Sequence, residues 1–314
     1  MIQDIAPHKL NNEFKTGVAP GPDSPVVCFR EKEILLRNEG FFLPRYRELP
    51  KDTEIRFLFT YDNTDVFAAQ LEEPLKGFSF SGFRNIRQLE FLEKHQVFLL
   101  MTALQLNNWY VDNQFCGRCA TPTVHSPRER ALLCPNCQRT IYPRILPAVI
   151  VAVTYKGKIL LTKYSPKTGH AFPYYALVAG FTEIGETLEE CVEREVMEET
   201  GVCVKNIRYY KSQPWGVVDD LLMGFFCEAD TEAMEAMYQD VYDDNGDPLI
   251  RLDKNELRTG VWLTPEEMTL QPDAYSLTNE MMLLFKSENI HDPEELPLLL
   301  TRADIEKLEQ EFYQ

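Results

Sequence analysis

Two periods of apolar residues divide this chain. Ala148-Val-Ile-Val-Ala-Val153 and Lys158-Ile-Leu-Leu-Thr162 are short continuous apolar runs around a Tyr155-Lys-Gly-Lys turn, and predict paired strands. Arg56 to Tyr61 and Asp65 to Leu71 read as strands in the same way, whereas Gln88 to Tyr110 carries Leu89, Phe91, Leu92, Val97, Leu99, Leu100 and Leu104 at largely helical spacing. Farther on, Val204 to Lys211, Leu221 to Glu228 and Thr259 to Leu263 predict strands. Asp273 to Lys286 predicts a helix, and Thr301 to Phe312 an amphipathic helix that caps the preceding domain or meets a partner. Asn245-Gly246 marks a turn within the acidic stretch Asp240 to Asp247. The order predicts an α+β protein with four segments: an N-terminal α+β domain at 1–110, a cysteine-bearing segment at 111–144, a larger mixed domain at 145–290, and a helical tail at 291–314. No internal repeat or low-complexity tract interrupts it.

Composition adds limits. With 314 residues, 44% of them hydrophobic, the chain is long enough for two or more domains of ordinary globular character. No apolar run is long enough to span a bilayer. The start, Met1 to His8, lacks the basic end and apolar core of a secretory signal, so a cytoplasmic location is expected. The net charge of −17 argues against long DNA or RNA as the main ligand, since a nonspecific nucleic-acid binder presents a basic face. A local basic pocket, or recognition of an RNA 5′ end, stays open.

The cysteines change the picture more. Cys116-Gly-Arg-Cys119 and Cys134-Pro-Asn-Cys137 are two C-x2-C knuckles, a spacing that gathers four thiolates around a tetrahedral Zn2+. Four protein ligands leave no coordination position for water, so this zinc is expected to be structural. Two disulfides are the competing reading, disfavoured in a reducing cytosol. Cys28, Cys191, Cys203 and Cys227 are scattered and are expected to be buried small hydrophobes.

The most informative stretch runs from Gly180 to Val202 and fits G-x5-E-x7-R-E-U-x-E-E-x-G-U, where U is apolar. Thr187 with Glu190 forms a capping box that starts a helix, and Gly201 suits the left-handed stop after it. Cys191, Val192, Val196 and Met197 supply its apolar positions. Glu195, Glu198 and Glu199 stand at i, i+3 and i+4, so their carboxylates share a face. Crowded carboxylates repel, and a hard divalent cation such as Mg2+ relieves that repulsion while taking up substrate phosphates. A solvated acidic helix face is the plain alternative; the fixed glycines, Arg194 and Glu186 in full register favour the metal. Arg194 is expected to pair with Glu190 or Glu186.

That stretch resembles the signature of the Nudix hydrolases, whose domains are α/β/α sandwiches. With a zinc ribbon ahead of it, Tyr142-Pro-Arg linking the two, and Ser212-Gln-Pro-Trp215 after it, the chain resembles the NADH pyrophosphatase branch from about Phe115 to Lys286. The resemblance implies hydrolysis of NADH or NAD+ to nicotinamide mononucleotide and AMP, activity of some members on NAD-capped RNA, and a homodimer. It implies Mg2+ or Mn2+ held by Glu195, Glu198, Glu199, Glu256 and the Ala179 carbonyl, with Glu198 the first candidate for general base and Glu256 the second. It places Phe181, Gln213, Pro214, Trp215, Tyr142, Glu129, Thr278 and, more weakly, Arg87 at substrate. Each has a plainer reading: Glu256 solvated, Phe181 in the core, Tyr142 packed on the ribbon, Arg87 a surface cation.

The chain departs from the branch after Trp215. The usual array is S-Q-P-W-P-F-P-x-S, whereas here Gly216, Val217, Val218, Asp219 and Asp220 follow the tryptophan. The loop loses an aromatic and two prolines and gains negative charge. Two other readings therefore stand beside NADH hydrolysis: a Nudix hydrolase of ADP-ribose or a dinucleoside polyphosphate, and a non-catalytic dinucleotide sensor, against which the complete carboxylate set speaks.

Overall fold

Short runs of buried residues, such as Val26 to Phe29 and Ile34 to Leu36, build a sheet that the sequence shows only in part. The computed structural model describes residues 1–86, 89, 91–168, 173–272, 275–287 and 302–313. The first sheet contains β1 (Leu10–Asn11), β2 (Val26–Arg30), β3 (Glu33–Arg37), β4 (Ile55–Tyr61), β5 (Thr64–Gln70) and β6 (Phe78–Gly82). Its order is β1-β4-β5-β2-β3-β6, with β2 and β5 parallel. Only β4 and β5 are predicted above; the other strands are too short for alternation to stand out.

Helix α1 (Phe83–Ile86) precedes α2 (Lys94–Asp112). The long helix starts later than its apolar pattern suggests. Glu93 precedes its first turn, and the Gln96 side chain accepts the Glu93 backbone N–H at 3.1 Å. The cysteine segment folds as a three-stranded antiparallel meander, β7 (Val124–His125), β8 (Leu132–Leu133) and β9 (Thr140–Ile141). Arg130 ties it to the first sheet by donating to the Leu58 carbonyl at 2.5 Å. Residues 2–145 and Trp215–Asp220 together make one compact unit.

The second unit takes Met1, Leu146–Pro214 and the chain from Leu221 onward. Its elements are β10 (Leu146–Tyr155), β11 (Lys158–Tyr164), β12 (Val178–Phe181), α3 (Leu188–Thr200), β13 (Val204–Trp215), β14 (Asp220–Ala229), α4 (Thr231–Met237), β15 (Leu257–Leu263), α5 (Leu277–Lys286) and α6 (Arg302–Tyr313). The sheet runs β13-β14-β10-β11-β15, with β12 also on β10. Period-2 alternation sorts β10 between two cores. Val149, Val151 and Val153 pack with Cys191, Val192 and Val196 of α3, while Ile150 and Ala152 pack with Leu277, Met281 and Phe285 of α5. Burial on both faces is why β10 reads as one continuous apolar run. The result is an α/β/α sandwich.

Ile305 and Leu308 of α6 join the α5 side of the core, so the tail helix caps this unit. Ser276 caps α5 by accepting the Asn279 N–H at 3.2 Å. This starts the helix at Leu277, while Asp273, the first residue of the predicted helix, lies outside the described residues. Cys28, Cys191 and Cys227 are buried as expected; Cys203 is only half-buried, with its Sγ 3.6 Å from the Met237 sulfur. Among the described residues, no helix is long and apolar enough to cross a membrane.

Candidate active site

Helix α3 is fixed at both ends by its own sequence. Thr187 Oγ1 accepts the Glu190 N–H at 3.2 Å, and Glu190 Oε2 accepts the Thr187 N–H at 2.8 Å. Gly201 takes the left-handed conformation at φ 69° and donates its N–H to the Met197 carbonyl at 2.8 Å. Burial of Cys191, Val192 and Val196 then sets the helix rotation. Glu195 and Glu199, one turn apart, point inward with side chains largely buried, whereas the Glu198 side chain stays 61% exposed.

Arg194 organises the outer edge. Its Nε and Nη2 donate to the two oxygens of Glu186 at 2.7 and 2.9 Å. Nη1 donates to Glu195 at 2.7 Å and to Glu198 at 3.1 Å, and Nη2 also donates to the Phe181 carbonyl at 2.9 Å. The guanidinium, with the Glu183 backbone N–H, holds the Glu186 carboxyl down at about 2. Of the two expected partners of Arg194, only Glu186 is taken, because Glu190 is spent on the helix cap.

A loop from the far end of the unit completes the carboxylate set. The Arg251 N–H donates to the Thr200 carbonyl at 2.7 Å, and the Asp253 N–H to the Glu199 carbonyl at 3.0 Å. The Glu256 N–H closes a turn onto Asp253, and the Glu256 carbonyl accepts from the Ser165 N–H at 2.7 Å. These bonds bring Glu256 toward Glu195 and Glu199. Burial, then the charges of Glu195, Glu256, Asp253 and Glu198, push the Glu199 carboxyl up to about 8. Glu195 is also raised, burial outweighing its bond to Arg194.

Gly180 explains how Glu195 fits. An added Cβ there would lie 1.9 Å from the Glu195 carboxyl carbon, so the carboxylate occupies space that only glycine leaves. Ala179, whose carbonyl is the further candidate ligand, precedes it on β12 opposite Ile150. Glu199 has no ion-pair partner among the described residues, and its neighbours are mostly carboxylates. This all-oxygen, under-compensated set suits a hard divalent cation.

The four ribbon cysteines converge more tightly. Their sulfurs all lie within 4.8 Å of one another, with Cys116–Cys137 at 3.6 Å and Cys119–Cys134 at 3.4 Å. A tetrahedron of Zn–S bonds has sulfur separations of about 3.8 Å, close to these distances and far beyond a disulfide bond. The arrangement fits a structural zinc. Among the described residues this is the one group of at least three possible ligands drawn so close; the carboxylates of α3 are more widely spread.

The NUDIX domain family matches residues 144–285, and the NADH pyrophosphatase zinc ribbon domain matches residues 112–142. The chain is 38% identical over 169 residues to an NAD-capped RNA hydrolase NudC of Klebsiella pneumoniae, covering 54% of this chain and 58% of that protein. It is 34% identical over 203 residues to an NAD-capped RNA hydrolase NudC of Vibrio cholerae, covering 63% of this chain and 71% of that one. The chain belongs to the Nudix hydrolases with an NADH pyrophosphatase zinc ribbon. It spans under two thirds, 58%, of the first relatives it matches.

The substrate-side candidates of this Nudix protein divide between its units. Phe181 is 51% exposed beside the carboxylates, not in the core. Thr278 is half-buried on α5, and Pro214 is half-buried on β13. Gln213 lies deeper than the others. It is fully buried, its Nε2 donating to the Tyr275 carbonyl and its Oε1 accepting the Leu277 N–H, both at 2.7 Å. Its amide fastens β13 to the start of α5. Glu129, Tyr142 and Trp215 belong to the N-terminal unit. The Tyr142 hydroxyl donates to Glu129 Oε1 at 3.1 Å, and the ring is 58% exposed, not packed away on the ribbon. Arg87 lies outside the described residues.

The divergent loop of this Nudix chain is built against the N-terminal unit. A Cβ on Gly216 would stand 2.9 Å from Gln105 Oε1 and 3.0 Å from the Met101 carbonyl. Asp219, at φ 66°, pairs with Arg144 at 3.0 Å. Asp220 is 93% buried, and its Oδ1 has no hydrogen-bond partner among the described residues; burial, then Asp219, push its carboxyl up to about 7. Sequence reasoning marks this pair as added charge but not as one screened and one buried carboxyl.

Proposed function

We propose that this Nudix hydrolase cleaves the diphosphate of NADH or NAD+, releasing nicotinamide mononucleotide and AMP, and acts on the same bond in NAD-capped RNA. The observation that carries the reading is the convergence of Glu195, Glu199 and Glu256 in a chain that also bears the four-cysteine ribbon. Glu195, Glu198, Glu199, Glu256 and the Ala179 carbonyl would hold Mg2+ or Mn2+. Bound there, such ions supply neutralisation of charge on the diphosphate oxygens and a lower pKa for the attacking water.

The protein residues do the rest. Arg194 keeps Glu195 and Glu198 in place while Gly180 leaves room for the first of them. Water attacks one phosphorus, its proton passing to Glu198, or to Glu256 as second candidate. The bridging P–O bond breaks, and its electron pair leaves with the departing phosphate. Phe181 offers a flat apolar face to one ring of the substrate. A homodimer and a cytoplasmic location are part of this proposal.

The test follows AMP and reduced nicotinamide mononucleotide from NADH with Mg2+, comparing the intact protein with Glu195→Gln. Both products, lost in the variant, support the reading. The Gly216–Asp220 departure motivates a second one: turnover of ADP-ribose with NADH left intact would move the substrate to another nucleoside diphosphate derivative. Tight NADH binding without products would make the protein a sensor.

A further inference from the structure

Tyr164 belongs to no motif, yet β11 delivers it to the carboxylates. Residues of β11 alternate between the two cores: Ile159 and Leu161 pack on the α5 side, and Leu160 on the α3 side. Tyr164, four residues after Leu160, shares its face. The ladder to β15 is interrupted at this point. Lys163 sits opposite Thr259 and Tyr164 opposite Leu257, so Arg258 is skipped. The interruption puts Tyr164 beside the residue that follows Glu256, and the next backbone N–H, that of Ser165, donates to the Glu256 carbonyl at 2.7 Å. Glu199, Glu256 and Glu195 are the charged groups that act on the Tyr164 phenol.

A diphosphate entering this site meets mostly acceptors. Arg194, the cation at its edge, is committed to Glu186, Glu195, Glu198 and the Phe181 carbonyl. A lysine or arginine at position 164 would be drawn into a pair with Glu199 and would spend the carboxylate. A neutral hydroxyl donates without doing so. No hydrogen bond joins the Tyr164 hydroxyl to a partner among the described residues, and a phenol is an O–H donor at neutral pH.

We infer that Tyr164 is a substrate-contacting donor, its hydroxyl hydrogen-bonding a diphosphate oxygen of the bound nucleotide beside Glu195, Glu199 and Glu256. This rests on the reading of the site as a diphosphate site, but not on which nucleotide it takes. The competing role is positional, with the hydroxyl orienting a carboxylate for the cation.

Tyr164→Phe removes the hydroxyl and keeps the ring. ADP serves as the probe, since every Nudix reading of this chain includes a nucleoside diphosphate. ADP affinity with Mg2+ is measured by calorimetry, and Mn2+ affinity without nucleotide by electron paramagnetic resonance. Loss of a hydrogen bond to a charged group predicts ADP binding weaker by roughly 10-fold or more, with Mn2+ affinity and melting temperature unchanged. ADP affinity equal to wild type overturns the inference, as does a parallel loss of Mn2+ affinity, which would make Tyr164 a positioning residue. Failure of the wild-type protein to bind ADP overturns it too. Wild-type protein that binds ADP but leaves NADH intact refutes the proposed reaction alone, and the variant's ADP affinity still decides Tyr164.

Discussion

Gly180→Ala tests how the Glu195 carboxylate, a proposed metal ligand, is seated. The added methyl would lie 1.9 Å from the Glu195 carboxyl carbon and 2.1 and 2.2 Å from its oxygens. Carbon atoms in ordinary contact stand about 3.5 Å apart, so the carboxylate must retreat by roughly 1.5 Å. That retreat breaks its 2.7 Å bond to Arg194 and moves it away from Glu199 and Glu256. A displacement of about 1 Å at a reacting centre costs on the order of 100-fold in rate, and a loss of at least that size in kcat/KM is expected for the proposed hydrolysis of NADH. Mn2+ affinity should fall with it. The fold should survive, because the Glu195 side chain, though largely buried, belongs to neither apolar core cluster of this unit; the melting temperature should drop by no more than about 2–4 °C per kcal/mol of strain. Gly185→Ala is the control. Gly185 sits at φ 89° with open space around its Cβ position, so that variant should lose about 1 kcal/mol of stability and leave Mn2+ affinity intact. A Gly180→Ala enzyme with wild-type kcat/KM and Mn2+ affinity would show that Glu195 is not held where the structure puts it.

Other outcomes can be measured on the same protein. Cys119→Ser should reduce bound zinc from about one per chain, measured by atomic emission, and lower the melting temperature, since a structural zinc contributes folding energy directly. Gly216→Ala should destabilise by about 1–3 kcal/mol in urea unfolding, because the new methyl meets the Met101 carbonyl, which cannot rotate away. Asp220 should make stability pH-dependent. Its carboxyl titrates near 3.8 in the unfolded chain and at about 7 when folded, so the folded state holds its proton more tightly and loses stability as pH rises between those values. Asp220→Asn should therefore raise the melting temperature at pH 8 but hardly at pH 4; an equal gain at both would remove Asp220 as the source.

Local chemistry was legible along the chain. Thr187, Glu190 and Gly201 determine where α3 starts and stops, because caps and left-handed stops act within a turn of the residues that make them. The knuckle spacing determined the cysteine cluster for the same reason: each pair sits on one short turn. The continuous apolar run of β10 already implied a sheet covered on both faces. Tertiary structure alone decided the rest. The i, i+3, i+4 spacing put three glutamates on one side of α3, but burial of Cys191, Val192 and Val196 decided that Glu195 and Glu199 turn inward and Glu198 toward Arg194. A carboxyl raised to about 8 is a property of Glu199 with Glu195 and Glu256 around it, and Glu256 arrives through a backbone bond between residues far apart in sequence. That the Gln213 amide fastens the start of α5 is visible only in the fold, and Tyr164 looked like one more strand residue until an interrupted ladder set it beside the residue that follows Glu256. Sequence fixes what a residue can do within a turn or a strand; which groups meet across the sheet, and so which charges a carboxyl or phenol must bear, depends on packing between segments that no local pattern encodes.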